Sequence, residues 1–235
     1  MRNLKITSKL FKYLLPQRTQ YANWTLLSKV LHKIETRGFY KISYALKSWF
    51  LPRAIRNDFN YDMFCEFLMI KHFLPAQCTN MLDIGSGLSA YNVYVSEYYK
   101  NQVHLYLLDK TQIDRKTHFY FQDTASFYNS LIEAKLLLVD NGVPEKNIST
   151  MEVTGSNDIP NQKFDLVLSL LAWGHHFPVS TYIDKVYSNM NDGAVLILDV
   201  RKNTDGEETL RKYFKNFVVI QEDKRSHRYC LVKGM

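Results

Sequence analysis

Residues 81–90, MLDIGSGLSA, have the types and spacing that most directly predict chemistry. Gly85 and Gly87 flank Ser86, directly after a short apolar run that contains Asp83. Glycine adopts positive φ without a steric penalty and lets the backbone approach a ligand closely. A helix that begins after such a turn offers N–H groups and a positive dipole end to a bound group. The segment fits G-x-G-x-x-G/A and predicts a cofactor-binding loop.

Two acidic residues narrow the choice of cofactor. Asp109 closes the next apolar run, 22 residues after Gly87, where a carboxylate can accept hydrogen bonds from the ribose hydroxyls of an adenosine. Asp83 lies two residues before Gly85, where its charge would repel a pyrophosphate and attract an ammonium group. Asp109 fits either adenosine-bearing cofactor, whereas Asp83 favours S-adenosylmethionine over NAD.

A loop with adjacent histidines, AWGHHFPVSTY, follows the apolar run FDLVLSLL, in which Ser169 and Leu170 are further candidates for cofactor contacts. A histidine with an ordinary pKa near 6.5 can take the proton from a hydroxyl group that attacks a methyl carbon. We expect His176 to be this base, with His175 as the alternative. Trp173 is expected to face a sulfonium or a sugar ring.

A second set of polar residues lies at the end of the apolar run at 194–200 and directly after it: Asp199, Arg201 and Lys202. These side chains are expected to contact the acceptor, and the two cations would suit a phosphate or carboxylate on it. No metal site is expected, because no acid follows FDLVLSLL until Asp184; Asp199 with a histidine is the alternative that would hold one. The run also lacks the N/D-P-P-Y/F of amino-methylating nucleic-acid enzymes, and no cysteine at a strand end offers a nucleophile for base-carbon methylation.

The elements that must position these residues alternate between short β-rich runs and helical runs. The predicted strands are 80–84, 103–109, 147–153, 164–171, 194–200, 216–222 and 227–232. The predicted helices of this region are 58–74, 89–99, 123–141, 178–190 and 207–215, with helix ends at Asn141-Gly142 and Asp192-Gly193. This alternation predicts an α/β, Rossmann-like, mostly parallel sheet. The short turn DKRSH predicts an antiparallel hairpin at the end.

Over residues 58–235 the chain resembles class I S-adenosylmethionine-dependent methyltransferases, through D-x-G-x-G, the acid closing the second strand and the terminal hairpin. The resemblance implies a seven-stranded sheet, with Gly85 and Gly87 lining the methionine portion and Asp109 holding the ribose. It implies adenine contacts from Phe127, Tyr128 and residues 152–153. The strings SLLAWGHHFPVSTY and FYNSLIEAKLLLVDNGVPEKNI also resemble bacterial sugar O-methyltransferases, which implies a glycan or sugar-nucleotide acceptor and a place in polysaccharide biosynthesis.

Charge divides the chain into a basic helical arm, residues 1–57, and a domain of residues 58–235. Residues 1–56 hold twelve Lys and Arg against Glu35 alone, whereas residues 57–235 hold eighteen against twenty-two acids. Such an arm is expected to meet an anionic partner. It would form a lid, or dock on an anionic glycolipid or the membrane surface, and an RNA partner is the alternative. A solvated helical face without a partner is the other interpretation of the charge.

The amino-acid composition excludes several other classes of protein. Hydrophobic residues are 46% and charged residues 23%, which excludes wholesale disorder. Three cysteines without a C-x-x-C spacing predict neither a disulfide scaffold nor a zinc finger, and favour the cytoplasm. The first interpretation is therefore an S-adenosylmethionine-dependent O-methyltransferase. The alternatives are an RNA methyltransferase and a non-catalytic subunit that keeps the fold.

Overall fold

The computed structural model describes residues 2–17, 21, 40–113 and 128–234. The chain divides into two compact units, Met1–Glu66 and Phe67–Met235. None of the described helices is long and apolar enough to cross a membrane.

Most of the described part of the first unit is helical. A 3₁₀ turn, Ser8–Leu10, leads into α1, Phe11–Gln17; α2 is Tyr40–Phe50 and α3 is Pro52–Ile70, followed by a 3₁₀ turn, Lys71–Phe73. Sequence periodicity predicted the last helix to begin near residue 58. It begins instead at Pro52, a residue favoured in the first helical turn because it has no N–H to satisfy. The spacing of Trp24, Leu27, Leu31 and Ile34 predicts a further helix closed by Gly38, which lies outside the described residues.

The extended residues before the first helical turn are hydrogen-bonded to side chains of α3. The side chain of Asn60 accepts a hydrogen bond from the backbone N–H of Leu4 at 2.7 Å. The Arg56 guanidinium donates from Nε to the carbonyl oxygen of Ile6 at 2.9 Å. Leu4 and Ile6 are buried although neither is helical. The apolar spacing predicted instead a helical face that Leu4 shares with Leu10, Phe11, Leu14 and Leu15.

A seven-stranded sheet organises the second unit. Its strands are β1 (Asn80–Ile84), β2 (His104–Asp109), β5 (Ile148–Glu152), β6 (Phe164–Ser169), β7 (Met190–Arg201), β8 (Phe217–Glu222) and β9 (Ser226–Val232). Two short strands, β3 (Gln112–Ile113) and β4 (Tyr128–Asn129), form a separate antiparallel pair. The order across the large sheet is β5-β2-β1-β6-β7-β9-β8.

Strand directions confirm the predicted fold class. β5, β2, β1, β6 and β7 pair in parallel, while β9 is antiparallel to both β7 and β8. The central strands are almost wholly apolar and buried, as expected when helices cover both faces of a parallel sheet. Parallel pairing brings the carboxyl ends of β1, β2 and β6 to one edge of the sheet, where such folds hold ligands.

Among the described residues four helices connect these strands: α4 (Asn92–Tyr98), α5 (Leu131–Asp140), α6 (Ile183–Asn189) and α7 (Gly206–Arg211). Ser89 has a φ of +59°, which is incompatible with a right-handed helix, so α4 begins three residues later than predicted. Asp192 and Gly193 lie inside β7 and do not end a helix, which corrects the sequence-based prediction. The first part of the helix predicted at 123–141 falls largely outside the described residues.

Candidate functional site

The glycine loop after β1 is fitted tightly against neighbouring backbone. Gly85 and Gly87 have φ values of +71° and +55°, which glycine adopts without strain. The N–H of Gly85 donates to the carbonyl oxygen of Leu108 at 2.8 Å, so the loop is tied to β2. A Cβ on Gly85 would lie 2.3 Å from the Cβ of Ala172, which leaves no room for any other residue. The loops after β1 and β6 therefore pack directly on each other.

Asp83 lies buried beneath this loop. Its Oδ2 accepts a hydrogen bond from Nδ2 of Asn92 at 2.6 Å. Burial raises the pKa of the Asp83 carboxyl to about 7, against the lowering effect of hydrogen bonds from Tyr91, Asn92 and Ser89. Within the described part of the chain no cation pairs with Asp83. The site therefore holds a carboxyl group whose charged form is costly until a cation approaches it.

Asp109 connects the end of β2 to the same loop. Its Oδ2 accepts a hydrogen bond from the N–H of Gly87 at 2.6 Å, and its Oδ1 accepts one from the N–H of Lys110 at 2.6 Å. Burial raises the pKa of the Asp109 carboxyl to about 6, while these backbone donors lower it. The structure thus brings Asp83, Gly87 and Asp109 together, as the sequence predicted. Asn92 belongs to the same cluster, and no motif in the sequence singled it out.

The side-chain hydroxyl of Ser86 is a further feature of the glycine loop. Its Oγ is buried and has no hydrogen-bond partner among the described residues. A buried hydroxyl is normally hydrogen-bonded, so this atom and the uncompensated carboxyl of Asp83 fit the polar end of an amino-acid-bearing nucleoside.

The candidate adenine contacts are less defined, since Phe127 and the side chain of Tyr128 lie outside the described residues. The carboxylate of Glu152 accepts a hydrogen bond from the N–H of Thr111 at 2.8 Å.

Ser169, a predicted cofactor contact, joins the loop after β6 to β1. Its hydroxyl donates to the carbonyl oxygen of Ile84 at 2.9 Å and accepts from the N–H of Trp173 at 2.9 Å. Leu170 is half-buried beside it, and Leu171 adopts a φ of +54°, a rare conformation for a residue with a branched side chain. The hydroxyl of Ser169 thus holds the turn together.

Trp173 occupies a different place from the one expected. Its side chain is 0% exposed, within the core cluster that includes Val179 and Tyr182. The indole Nε1–H donates to the carbonyl oxygen of Val179 at 2.9 Å. Because the ring is enclosed and its donor is used, Trp173 cannot stack on a sulfonium or a sugar in this structure. Its contacts fix the start of the histidine loop.

His175 and His176 are half-buried and form an edge-to-face pair with ring centroids 4.7 Å apart. The backbone N–H groups of both donate to the carbonyl oxygen of Ala172. The Nδ1 atom of His175 is buried and has no hydrogen-bond partner among the described residues. The turn thus presents two imidazoles side by side, one with an unused ring nitrogen.

Both histidines are neutral at neutral pH. Burial lowers the pKa of His175 to about 4, with the positive charge of Arg201 acting in the same direction. Burial also lowers the pKa of His176 to about 4, helped by His175 and Arg201. A neutral imidazole can accept a proton, so either histidine fits the role of a base. Arg201 is close enough for its charge to act on both rings.

Asp199 also differs from its expected place in the acceptor site. Its Oδ1 and Oδ2 accept hydrogen bonds from Nε and Nη2 of Arg228, both at 2.8 Å, and both side chains are buried. Oδ2 also accepts one from the N–H of Leu171 at 2.8 Å. These three hydrogen bonds occupy the carboxylate, which thereby holds the loop after β6 in place. Arg228 has no motif around it, so sequence reasoning missed this partner.

The turn between β8 and β9 lies beside the histidines, a proximity that the sequence did not indicate. The N–H of Arg201 donates to the carbonyl oxygen of Gly174 at 2.9 Å, and that of Lys202 donates to the carbonyl oxygen of Arg225 at 2.8 Å. Asp223 and Arg225 have opposite effects on the pKa of His175, which the acid raises and the arginine lowers. The exposed Arg225 therefore joins Arg201 as a second cation at this edge of the sheet, beside the acid Asp223.

Comparisons with known proteins found similarity in structure alone. No family model matches the sequence, and no curated protein matches it. Residues 961–1257 of StiE, an O-methyltransferase, are 11% identical with a TM-score of 0.53, over 89% of this chain and 82% of that one. A Nostoc punctiforme protein classed as an O-methyltransferase is 12% identical with a TM-score of 0.51, over 77% of this chain and 58% of that one. The chain has the fold of these methyltransferases.

Proposed function

We propose that the protein transfers a methyl group from S-adenosylmethionine. The observation that carries the proposal is Asp83, a buried carboxyl beneath the glycine loop with no cation beside it among the described residues. The α-ammonium group of the cofactor would supply the missing charge. A pyrophosphate at the same place would meet a like charge, so the site disfavours NAD.

The residues around the loop have distinct tasks in this proposal. Asp83 would bind the ammonium group, and Ser86 Oγ would bind a neighbouring polar atom of the amino-acid moiety. Asp109 would accept hydrogen bonds from the ribose hydroxyls through the lone pairs that Gly87 and Lys110 leave unused. The bound cofactor would supply an electrophilic methyl group on a positively charged sulfur.

We further propose that the acceptor is a hydroxyl of a sugar or glycan-linked molecule. The neutral imidazole of His176, or of His175, would take the hydroxyl proton as the oxygen attacks the methyl carbon. Arg201 and Arg225 give this edge positive charge, which suits a phosphate or carboxylate on the acceptor. The similarity of SLLAWGHHFPVSTY to sugar O-methyltransferases supports the acceptor class.

Calorimetric titration with S-adenosylmethionine, S-adenosylhomocysteine and NAD tests the cofactor. We expect micromolar binding of the first two and none of NAD. Binding of NAD alone would overturn the assignment of Asp83. If none of the three binds, a partner-binding subunit that keeps the fold becomes the leading hypothesis.

The acceptor is tested separately, by radiolabelled methyl transfer to a panel of sugars, sugar nucleotides and glycolipids. Methylated product from a sugar-bearing acceptor would support the proposal. Exclusive methylation of RNA, together with RNA binding that falls steeply with added salt, would favour the RNA alternative.

A further inference from the structure

We propose that the first unit carries a docking surface for the face of an anionic lipid bilayer, formed by Ile42, Trp49, Phe50 and Arg53. We call these four residues the α2 patch. The proposal concerns the unit Met1–Glu66 alone and is independent of the methyl transfer proposed for the second unit.

Helix α2 exposes large apolar side chains and buries polar ones, the reverse of the usual arrangement. Its exposed side chains include Ile42 at 53%, Trp49 at 77% and Phe50 at 57% exposure. Its buried side chains include Ser43 and Lys47, both at 0%. A helix that only packs on its own unit buries its apolar stripe and exposes its lysines. The face that α2 turns outward is therefore built for an apolar surrounding.

The exposed residues form one stripe that continues past the end of α2. Backbone hydrogen bonds from Leu51 to Lys47 at 2.8 Å and from Ile55 to Leu51 at 3.0 Å keep helical spacing across the junction with α3. At 3.6 residues per turn, Ile42, Trp49 and Arg53 then share a face. The patch thus ends in an exposed cation.

More positive charge lies in the same unit as the patch. Nη2 of Arg56 donates to Oγ of Ser8 at 2.8 Å, which places the N-terminal 3₁₀ turn beside the first turns of α3. Lys9 and Lys12, on and just after that turn, are exposed. The unit as a whole has twelve Lys and Arg against four acids, a net charge of +8. Basic residues beside an apolar stripe are typical of segments that lie on anionic membranes.

The side-chain chemistry favours a bilayer over other occupants. The rings of Trp49 and Phe50 stack on each other, with centroids 5.3 Å apart, so each already has an aromatic neighbour on one face. Ile42 offers nothing to a base or a phosphate, whereas tryptophan is enriched at the membrane interface. A second copy of the chain would bring +8 against +8. The headgroups and upper acyl region of an anionic leaflet satisfy both the apolar stripe and the cations.

Flotation of the full-length protein with vesicles tests the proposal. We expect binding to vesicles of equal parts phosphatidylcholine and phosphatidylglycerol, and little to phosphatidylcholine alone. The double variant Trp49→Ser, Phe50→Ser should bind at least about tenfold more weakly, because two exposed aromatic rings no longer enter the interface. Arg53→Glu should weaken binding in a salt-dependent way. Ile132→Ser, which changes a residue of 70% exposure in the second unit, is the matched control and should bind normally.

A second measurement uses the wild type and one conservative variant, so that its result does not depend on a variant that could fail to fold. Brominated lipids quench tryptophan fluorescence on contact, so the wild type should lose intensity on binding. Trp49→Phe keeps an aromatic ring and should still float, but should lose most of that quenching.

Three outcomes would overturn the proposal. The first is failure of the wild type to float with anionic vesicles. The second is vesicle binding that the double variant retains, or quenching that Trp49→Phe retains. The third is a double variant that loses RNA binding or self-association and has no change in vesicle binding, which would assign the α2 patch to that other occupant.

Discussion

The backbone N–H of Gly87 donates a 2.6 Å hydrogen bond to Oδ2 of Asp109, so the carboxylate that ends β2 also sets the shape of the glycine loop after β1. Asp83 lies on the other side of the same turn, at the end of β1. The two carboxyls have raised pKa values, about 7 for Asp83 and about 6 for Asp109, because both are buried. The loop therefore lies between two acids whose ionisation a ligand can change.

Cofactor binding should become tighter as pH rises from about 5.5 to 7. Below pH 7 the carboxyl of Asp83 is largely protonated in the free protein, and an ammonium group favours its charged form. Binding must then release a proton, so affinity increases with pH and levels off above the pKa. Calorimetry with S-adenosylhomocysteine in buffers of different ionisation enthalpy measures the proton directly.

The variants Asp83→Asn and Asp109→Asn separate the two acids. Asp83→Asn should weaken binding about tenfold or more and remove the pH dependence between pH 6 and 7. Asp109→Asn should weaken binding and keep a pH dependence, moved to lower pH because the charge of Asp109 helps to raise the pKa of Asp83. An Asp83→Asn protein with wild-type affinity and proton release would contradict the ammonium assignment.

His176→Ala should lower turnover by about 10²-fold or more and leave cofactor affinity nearly intact. The pKa of His176 is lowered to about 4, so its imidazole stays neutral, and turnover at saturating cofactor should fall only as pH approaches that value. Arg201→Gln should move this fall to higher pH, because one positive charge that depresses the pKa is removed. His175→Ala is the matched variant, and a larger loss there would reassign the base to His175.

The sheet could be predicted closely from the sequence because its strands are short apolar runs separated by turn residues. The run at 80–84 coincides with β1, and the acid that closes β2 lies where the spacing predicted. Helix boundaries were less predictable, because they depend on local backbone conformation. Ser89, with its φ of +59°, delays α4, and no residue type at that position requires this.

Side chains around the histidine loop were harder to place, because burial depends on partners that are distant in sequence. Trp173 and Asp199 both follow apolar runs and both resemble exposed site residues in the sequence. The first is enclosed by Val179 and Tyr182, and the second is paired with Arg228, 29 residues away. Pattern and spacing show which edge of the sheet holds the site, but not which polar side chains at that edge face inward.

Gly85→Ala should destabilise the protein by about 3 kcal/mol. The new Cβ would meet Ala172 Cβ at 2.3 Å, and the φ of +71° adds backbone strain. Gly193→Ala is the control, since its φ is +76° and nothing lies within 4 Å of its Cβ, so only about 1 kcal/mol is expected. Adding Ala172→Gly to Gly85→Ala should recover the part due to the clash. Chemical denaturation gives the free energy of unfolding of the wild type, the two single glycine variants and the double variant. Equal losses of that free energy in the two single glycine variants would refute the packing argument.

The buried pair of Asp199 and Arg228 should matter for stability and for the histidine loop in separable ways. Arg228→Met leaves a buried carboxylate without its cation, which should cost about 3–5 kcal/mol of unfolding free energy. The double variant Asp199→Leu, Arg228→Met removes both charges and should recover much of that stability. It still removes the acceptor for the N–H of Leu171, which holds the loop after β6. The imidazole NMR signals of His175 and His176 should therefore shift in the stable double variant. Unchanged signals would show that the Asp199–Leu171 contact does not position the histidines.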